Sequence, residues 1–401
     1  MSALPRSRGF ADVGYEEAMR RAREMIPFLR QHAEAGERAR RMLPEIEAEL
    51  HRTGLLRYLQ PKRWGGMELD FACYFDLPEL IGRGDASTAW NVANLSVHHW
   101  MLALYEPKAQ EEVWGDNPDA LIASGIAYPQ GSARKVDGGI ELTGHWNFSS
   151  SVDSCGWNML ACIVRDGERV LDHRMCLLRR SEYEIIDDWH TLGMCGTGSK
   201  SVKCSKVFVP DYRALSMYTA RGGDTFPGAR ANPNPMYRIP LGALGAHCLA
   251  GAVVGNAQAA LDASIDNVKA RSTNYTGAKM RDFQTVQLRI GAAGARIDTA
   301  RLLLHRDCID AQAIAASGVV PDFETKLRFK RNCSLAVRLA TEAVDMLHEM
   351  AGANGIYDQY PLSRMFRDAR SAAGHISFNW DAQMTSWGLV ALGGEFVSLT
   401  L

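Results

Sequence analysis

Apolar side chains in the first part of the chain recur at intervals of three and four residues. Between Met19 and Leu29 this spacing places them on one face of a helix. Asp85 stands where a helix N-cap is expected, ahead of another such run. The pattern predicts helices over 15–58, 71–82, 86–105 and 107–114.

The pattern changes near residue 120. Short runs rich in β-branched and aromatic residues follow one another, separated by Gly, Asp, Pro and Ser. The runs cover 121–127, 140–148, 157–164, 174–178, 183–186 and 202–209. Closely spaced strands of this kind predict a compact β domain of sandwich or barrel type.

Helical periodicity returns after residue 240 and continues almost to the end of the chain. The predicted helices span 241–271, 280–317, 323–351 and 363–392. Long helices with short connections are typical of a bundle. We therefore predict an α+β chain with an N-terminal α-helical domain over 1–120, a central β domain over 121–235 and a C-terminal four-helix bundle over 236–401.

Composition narrows the class of protein. The 401 residues include 45 Lys and Arg against 46 Asp and Glu, so the charge balance gives no reason to expect nucleic acid or an anionic membrane as partner. The apolar stretch 239–261 is rich in Ala and Gly and is better read as an interior helix than as a membrane span. Nine separated cysteines without CxxC spacing, and no secretory signal at the N-terminus, predict a cytoplasmic protein without a metal site.

Common nucleotide and hydrolase motifs are not found, since the sequence has no GxGxxG, GxxxxGK[ST], GxSxG or HExxH. One strand end is unusual, because it closes with Ser149, Ser150 and Ser151, and Trp157 follows shortly after. Hydroxyl groups there can bond to a ligand, and the aromatic ring can cover a flat group. The alternative is a turn whose serines cap backbone groups.

Three further side chains are candidates for chemistry. His98 lies on a predicted helix, and His375 follows Gly374 at a break in a helical pattern, where it could act as a general acid or base. Arg271 ends the first bundle helix and suits phosphate recognition. Each also has an ordinary structural interpretation: a core histidine for His98, an ordinary polar residue for His375 and a solvated helix end for Arg271.

Several strings, in this order, resemble the acyl-CoA dehydrogenase superfamily over roughly residues 15–395. They are GHWNFSSS from Gly144, LGMCGTGS from Leu192, VFVP from Val207, GANGI from Gly352 and PLSRMFRD from Pro361. Many dehydrogenases place a catalytic glutamate about nine residues after the Arg-Asp pair, whereas this chain has His375 there and no carboxylate until Asp381. It is therefore more similar to the flavin-dependent monooxygenases of that fold. These are the oxygenase components of two-component aromatic hydroxylases, such as the p-hydroxyphenylacetate and secosteroid phenol hydroxylases.

The resemblance implies roles for individual residues. Ser150 would bond to flavin N5, with Ser149 beside it, and Phe148 and Trp157 would line the isoalloxazine. Ser124 would be a second pocket serine and Arg271 would hold flavin phosphate. His375 would assist the peroxyflavin, and His98 would bind or deprotonate a phenolic hydroxyl.

The resemblance also implies the cofactor and partners. Reduced FMN or FAD would arrive from a separate NAD(P)H:flavin reductase and react with O2 to a C4a-hydroperoxyflavin, which hydroxylates a small aromatic, phenolic substrate. A homotetramer is expected. The alternatives are an acyl-CoA dehydrogenase using Glu342 or Glu349, an N- or S-oxygenase, and a paralogue that has lost flavin binding.

Overall fold

The computed structural model describes residues 9–273, 276–398 and 400–401. The helices that precede the sheet are α1 Tyr15–Ala39, α2 Pro44–Thr53, α3 Cys73–Gly82, α4 Ala86–Leu102 and α5 Pro107–Trp114. The single helix predicted over 15–58 is divided, because Arg40 adopts a left-handed conformation with φ of 54° and Pro44 begins the next helix. The Asp85 cap is confirmed, since its carboxylate accepts a hydrogen bond from Thr88 N.

An eight-stranded mixed sheet occupies the middle of the chain. Its strands are β1 Ile122–Gly125, β2 Gly131–Val136, β3 Gly139–Ser149, β4 Trp157–Asp166, β5 Arg169–Arg179, β6 Glu184–Ile186, β7 Lys200–Pro210 and β8 Ala214–Ser216. The order is β6-β7-β3-β2-β4-β5-β8, and β1 pairs in parallel with the start of β4. Two strands are not predicted by the sequence pattern: β2, whose residues are mostly polar, and β8, which has only three residues.

The second helical part follows the sheet. It contains α6 Leu241–Leu244, α7 His247–Ala270, α8 Gln284–Ala316, α9 Phe323–Ala351, α10 Pro361–Ala373 and α11 Trp380–Ala391. The continuous helix predicted over 363–392 is wrong, because the chain leaves the helix at Gly374 and caps a new turn with His375. This interruption places His375 outside regular structure.

The apolar segment 241–270 is the one described helix long and apolar enough to cross a membrane, and 83% of its most apolar window is buried within the fold. Its small residues pack against α3. A Cβ atom at Gly255 would stand 2.1 Å from Glu79 O, so only glycine permits this backbone approach. The segment therefore has the environment of a core helix, as predicted.

The order of helices, sheet and helices confirms the α+β class predicted from the sequence. The domain boundaries at 120/121 and 235/236 stay a prediction. After the sheet, α10 returns to contact α4, the helix that carries His98.

Candidate active site

Trp90 on α4 connects two of the predicted residues. Its indole Nε1 donates a hydrogen bond to Ser150 Oγ at 3.3 Å, and its ring meets the His375 imidazole edge-on with centroids 5.6 Å apart. Trp90 is 8% exposed and Ser150 is 7% exposed. The fold thus brings together a strand end and a helix break that are distant in sequence, through a tryptophan to which sequence analysis gave no role.

The three serines at the end of β3 have different environments because the backbone turns sharply there. Phe148 and Ser151 adopt left-handed conformations with φ of 66° and 59°, which are unusual for residues other than glycine. Ser149 points inward and accepts a hydrogen bond from Asn158 Nδ2 at 3.0 Å. Ser150 faces Trp90 instead. Backbone strain of this kind is often found at functional sites.

The loop over residues 191–199, called here the 191–199 loop, is held from three sides. Asn91 Nδ2 of α4 donates to Gly196 O at 3.2 Å, and Ser151 N donates to Thr197 O at 2.9 Å. From α10, Asp368 accepts a hydrogen bond from Met194 N at 2.6 Å. These contacts fix the loop directly behind Ser150.

Asp368 itself is an unusual carboxyl group. It is 4% exposed, and burial together with the nearby Asp85 raises its pKa to about 7. The hydrogen bond from Met194 N opposes this rise without cancelling it. The attachment of the 191–199 loop to α10 therefore depends on a carboxyl group that titrates near neutral pH.

His98 presents a hydrogen-bond acceptor. Its Nδ1 lies 2.6 Å from Ile122 O, and since a carbonyl oxygen only accepts, Nδ1 must carry the hydrogen. The Nε2 atom then carries a lone pair and no hydrogen, and it is buried without a partner among the described residues. Burial lowers the pKa of His98 to about 4, so the ring is neutral at pH 7.

His375 presents a hydrogen-bond donor instead. Its Nδ1 accepts a hydrogen bond from Ser377 N at 3.2 Å, so the hydrogen of the neutral ring is on Nε2. Burial, with a smaller contribution from the positive charge of Lys330, lowers its pKa to about 4. His375 is therefore a neutral hydrogen-bond donor, whereas His98 is a neutral acceptor.

The structure places two other predicted residues near these groups. Ser124 is buried in β1, two residues after the Ile122 carbonyl that binds His98. Phe148 is 68% exposed and contacts Trp189 edge-on at 6.1 Å, beside Ser149 and Ser150.

Trp157 and Arg271 are engaged elsewhere. The Trp157 ring packs under the guanidinium groups of Arg213 and Arg179 at 5.2 and 5.5 Å. Arg271 donates to Asn267 Oδ1 at 3.3 Å and, with the Asn354 amide turned to accept, to that side chain at 2.8 Å. It lines a shallow groove between α7 and the end of α9. Neither residue contacts the Trp90, Ser150 and His375 group within the described part of the chain.

The two glutamates considered for dehydrogenase chemistry are not at this site. Glu342 forms ion pairs with Arg338 at 3.0 Å and with Arg296 at 3.6 Å, and Glu349 is exposed to solvent. Both lie on α9. Neither contacts Ser150 or His375 among the contacts that the structure describes, so these two glutamates do not take part in the site.

The residues present fit the flavin that the resemblance implies. Ser150 can bond to a ring nitrogen, and His98 offers a buried, unpartnered Nε2. Apolar side chains next to these groups are exposed, with Phe148 at 68%, Leu192 at 68% and Ile376 at 74%. A flat apolar ring system covering such side chains would remove them from water.

Sequence analysis did not assign several residues that shape this site. Trp90 and Ser199 bond to Ser150, Thr197 bonds to Ser199, and Asp368 holds the 191–199 loop through Met194 N. The strings containing Thr197, Ser199 and Asp368 supported the resemblance, but no spacing rule connects a loop hydroxyl with a strand end that precedes it by about fifty residues. That contact exists only once β3 and β7 pair.

Comparison with known proteins identifies the relatives of the chain. Residues 247–380 match the family "Acyl-CoA dehydrogenase, C-terminal domain". The chain is 34% identical over 380 residues to the oxygenase subunit HsaA of a flavin-dependent monooxygenase from Rhodococcus jostii, covering 94% of this chain and 98% of the relative. It is also 34% identical to the oxygenase component of an FADH2-dependent resorcinol hydroxylase from Rhizobium sp., covering 91% of each chain.

A solved structure agrees with these matches. The 3-HSA hydroxylase of Rhodococcus sp. RHA1 superposes with a TM-score of 0.91 at 32% identity, covering 96% of this chain and 99% of the other. Identity above 30% over nearly full length, a shared fold and a site that fits flavin lead to one conclusion. The chain belongs to the oxygenase components of flavin-dependent monooxygenases on the acyl-CoA dehydrogenase fold, and it is an oxidoreductase that uses reduced flavin.

Proposed function

We propose that this oxygenase component hydroxylates a ring carbon of a small phenolic compound, with reduced flavin supplied by a separate NAD(P)H:flavin reductase. One observation carries the proposal: two neutral histidines, a buried His98 and a half-buried His375, have opposite free ring atoms, an acceptor on His98 and a donor on His375. A phenol needs an acceptor for its hydroxyl hydrogen. Activated oxygen needs a donor that does not release a proton prematurely.

His98 would bind the phenolic hydroxyl through Nε2. With a pKa of about 4, it is too weak a base to hold the proton of a ground-state phenol, whose pKa is about 10. It accepts the hydrogen bond and takes up the proton only as the ring carbon begins to attack oxygen, when the phenol has become much more acidic. Attack ortho to the hydroxyl gives the hydroxylated product.

His375 and Ser150 would act on the cofactor side. When bound, reduced flavin supplies two electrons and activates O2, of which one atom goes to the product and one to water. The Nε2–H of His375 would donate to oxygen, and Ser150 would bond to the N5 position. The Phe148 ring, which is exposed in the structure, would be covered by the bound cofactor and would then help to exclude water, which favours release of hydrogen peroxide.

Four further residues are proposed to contact the cofactor, and their surroundings in the structure differ. Ser124 lies in β1 close to the Ile122 carbonyl that binds His98, and Ser149 lies beside Ser150, which supports a place for both near the cofactor. Arg271 lies in a separate groove where it could hold a phosphate group. The Trp157 ring already contacts two arginines, which makes a direct contact with isoalloxazine the least supported of these roles.

We also propose a cytoplasmic homotetramer. The Ala- and Gly-rich face of α7 packs on α3 of the same chain and so gives no support for assembly. Helix α8 does support it: Leu288, Leu302 and Ile309 recur at multiples of seven residues and are 72%, 72% and 48% exposed. Such a stripe on a long helix suits packing against a second copy. Nine free, buried cysteines fit a reducing compartment.

The direct test supplies chemically reduced FMN or FAD and 18O-labelled O2 to the purified protein with a panel of compounds. The panel contains resorcinol, 4-hydroxyphenylacetate, indole, dibenzothiophene and an acyl-CoA thioester. We expect one labelled oxygen atom on the ring of at least one phenol, detected by mass spectrometry. Labelled sulfur or nitrogen products without ring hydroxylation, or bleaching of oxidised flavin by the thioester, would replace this proposal.

A further inference from the structure

Behind Ser150 lies a chain of three hydroxyl groups. Ser150 Oγ is 2.8 Å from Ser199 Oγ, which is 2.7 Å from Thr197 Oγ1, and Thr197 Oγ1 is 2.7 Å from Met194 O. Thr197 and Ser199 are 1% and 4% exposed. The chain begins at the proposed N5 contact and ends at a backbone carbonyl of the 191–199 loop.

The order of hydrogens along this chain follows from its end. A carbonyl oxygen only accepts, so the hydrogen between Thr197 and Met194 O must come from Thr197. The short contact between Ser199 and Thr197 then requires the hydrogen of Ser199, and the contact between Ser150 and Ser199 requires that of Ser150. Each hydroxyl has one hydrogen, and each hydrogen is used once.

Ser150 is therefore left only with acceptor capacity. Its hydrogen is directed to Ser199, and one of its two lone pairs takes the hydrogen bond from Trp90 Nε1. The other lone pair has no partner among the described residues. Reversing the order would leave two oxygens at 2.7 Å without a hydrogen between Thr197 and Met194.

This order matters because the N5 atom of flavin changes its character with redox state. Reduced flavin carries a hydrogen on N5 and donates, whereas oxidised flavin has only a lone pair there and accepts. We propose that Thr197 and Ser199 are positioning residues that hold the Ser150 hydroxyl as an acceptor, so that the site binds reduced flavin in preference to oxidised flavin. The inference rests on the proposed contact of Ser150 with N5.

The contacts of the 191–199 loop are suited to keep this order of hydrogens along the hydroxyl chain. The 191–199 loop is tied to α4 by Asn91, to β3 by Ser151 and to α10 by Asp368. The Met194 carbonyl that ends the chain also accepts hydrogen bonds from Thr197 N at 3.1 Å and Trp189 Nε1 at 3.2 Å, which hold it in place. A hydroxyl chain anchored in this way cannot reorient one member alone.

The experiment compares Thr197→Val with Thr197→Ser. Valine has the shape of threonine without its hydroxyl, so Ser199 loses its acceptor and Ser150 regains the freedom to donate; serine keeps the chain. Dissociation constants for FMN and FAD in both redox states are measured anaerobically by fluorescence and ultrafiltration. In Thr197→Val we expect the preference for reduced flavin to fall about tenfold, which lowers the potential of the bound flavin by about 30 mV. Thr197→Ser should keep the preference of the unmodified protein.

Two further variants make the result decisive. Ser199→Ala interrupts the chain at a second point and should reproduce Thr197→Val, with folding of both checked by circular dichroism and size-exclusion chromatography. Ser150→Ala tests the proposed contact itself and should weaken binding of reduced flavin. If Ser150→Ala has its effect while both chain variants keep the original preference, the hydroxyl order plays no part. If Ser150→Ala has no effect, the N5 contact is wrong and this inference falls with it.

Discussion

The surroundings of His98 and His375 differ in a way that their sequence neighbourhoods do not show. Burial lowers both pKa values to about 4, and both rings are neutral. At His98 a strand carbonyl, Ile122 O, takes the hydrogen of Nδ1. At His375 a backbone amide, Ser377 N, donates to Nδ1. The same side chain with the same pKa therefore presents an acceptor at one place and a donor at the other.

The difference shows that a backbone partner can decide the chemistry of a buried imidazole. His98 sits in the middle of a regular helix, where its ring reaches a neighbouring strand. His375 sits at an interruption, where the backbone amide two residues ahead is free of helical hydrogen bonds. The proposed roles follow from these two backbone contacts: His98 is the base toward the substrate, and His375 is the hydrogen-bond donor toward oxygen.

The largest effect is expected from His98→Ala. Without an acceptor for the phenolic hydroxyl, ring hydroxylation should slow by about a thousandfold, within the range usual for a lost general base. Flavin consumption should continue, with hydrogen peroxide replacing product. The measurement is the ratio of product to peroxide per flavin oxidised. His98→Asn, whose amide oxygen can still accept, is the matched control and should recover part of the coupling; normal coupling in His98→Ala would make His98 merely structural.

A smaller effect is expected from His375→Ala. Loss of one hydrogen-bond donor to activated oxygen should raise peroxide release about tenfold, including in the absence of substrate. Peroxide release in the absence of substrate distinguishes His375→Ala from His98→Ala, in which peroxide release should depend on substrate. His375→Gln can restore an N–H donor and should behave more like the unmodified protein. Peroxide release identical to that of the unmodified protein would remove His375 from the oxygen chemistry.

The smallest effect concerns Asp368, which anchors the 191–199 loop to the helix leading to His375. Its pKa is about 7 in the fold against 3.8 for an ordinary aspartate, so the folded protein keeps a proton that the unfolded chain loses. The stability from this group is present at low pH and is lost as pH rises from about 4 to 7. Asp368→Asn keeps an acceptor for Met194 N and removes the titration.

The check on Asp368 is a comparison of melting temperatures at pH 5 and pH 8. Relative to the unmodified protein, Asp368→Asn should gain about 2–5 °C on going to the higher pH. Because burial lowers the pKa of His98 to about 4, His98 adds stability as pH rises above 5, so the His98→Asn variant should show a relative loss and not a gain. An equal gain in both variants would mean that the pH dependence does not come from Asp368.

Much of the fold could be predicted because periodicity is a local property. Apolar spacing located α3, α4 and the long bundle helices, and β-rich runs located most strands. The failures have local causes as well. β2 is mostly polar, and the helix predicted over 363–392 ends at Gly374, because the spacing of apolar residues does not register an interruption of a few residues.

The candidate site was predicted unevenly. Ser150 and His375 both contact Trp90, and their roles stay a prediction. Trp157 and Arg271 contact other partners. The difference arises because resemblance in sequence transfers the position of a residue along the chain but not the neighbours that its side chain acquires.

The sequence by itself determined the order of helices, sheet and bundle, the family and the presence of histidine where dehydrogenases have a carboxylate. Only the tertiary structure decided which nitrogen of each histidine is free and which way the hydroxyls behind Ser150 point. The physical reason is that periodicity and residue type act between near neighbours in the chain. The direction of a hydrogen bond depends on which carbonyl or amide the fold places next to a side chain.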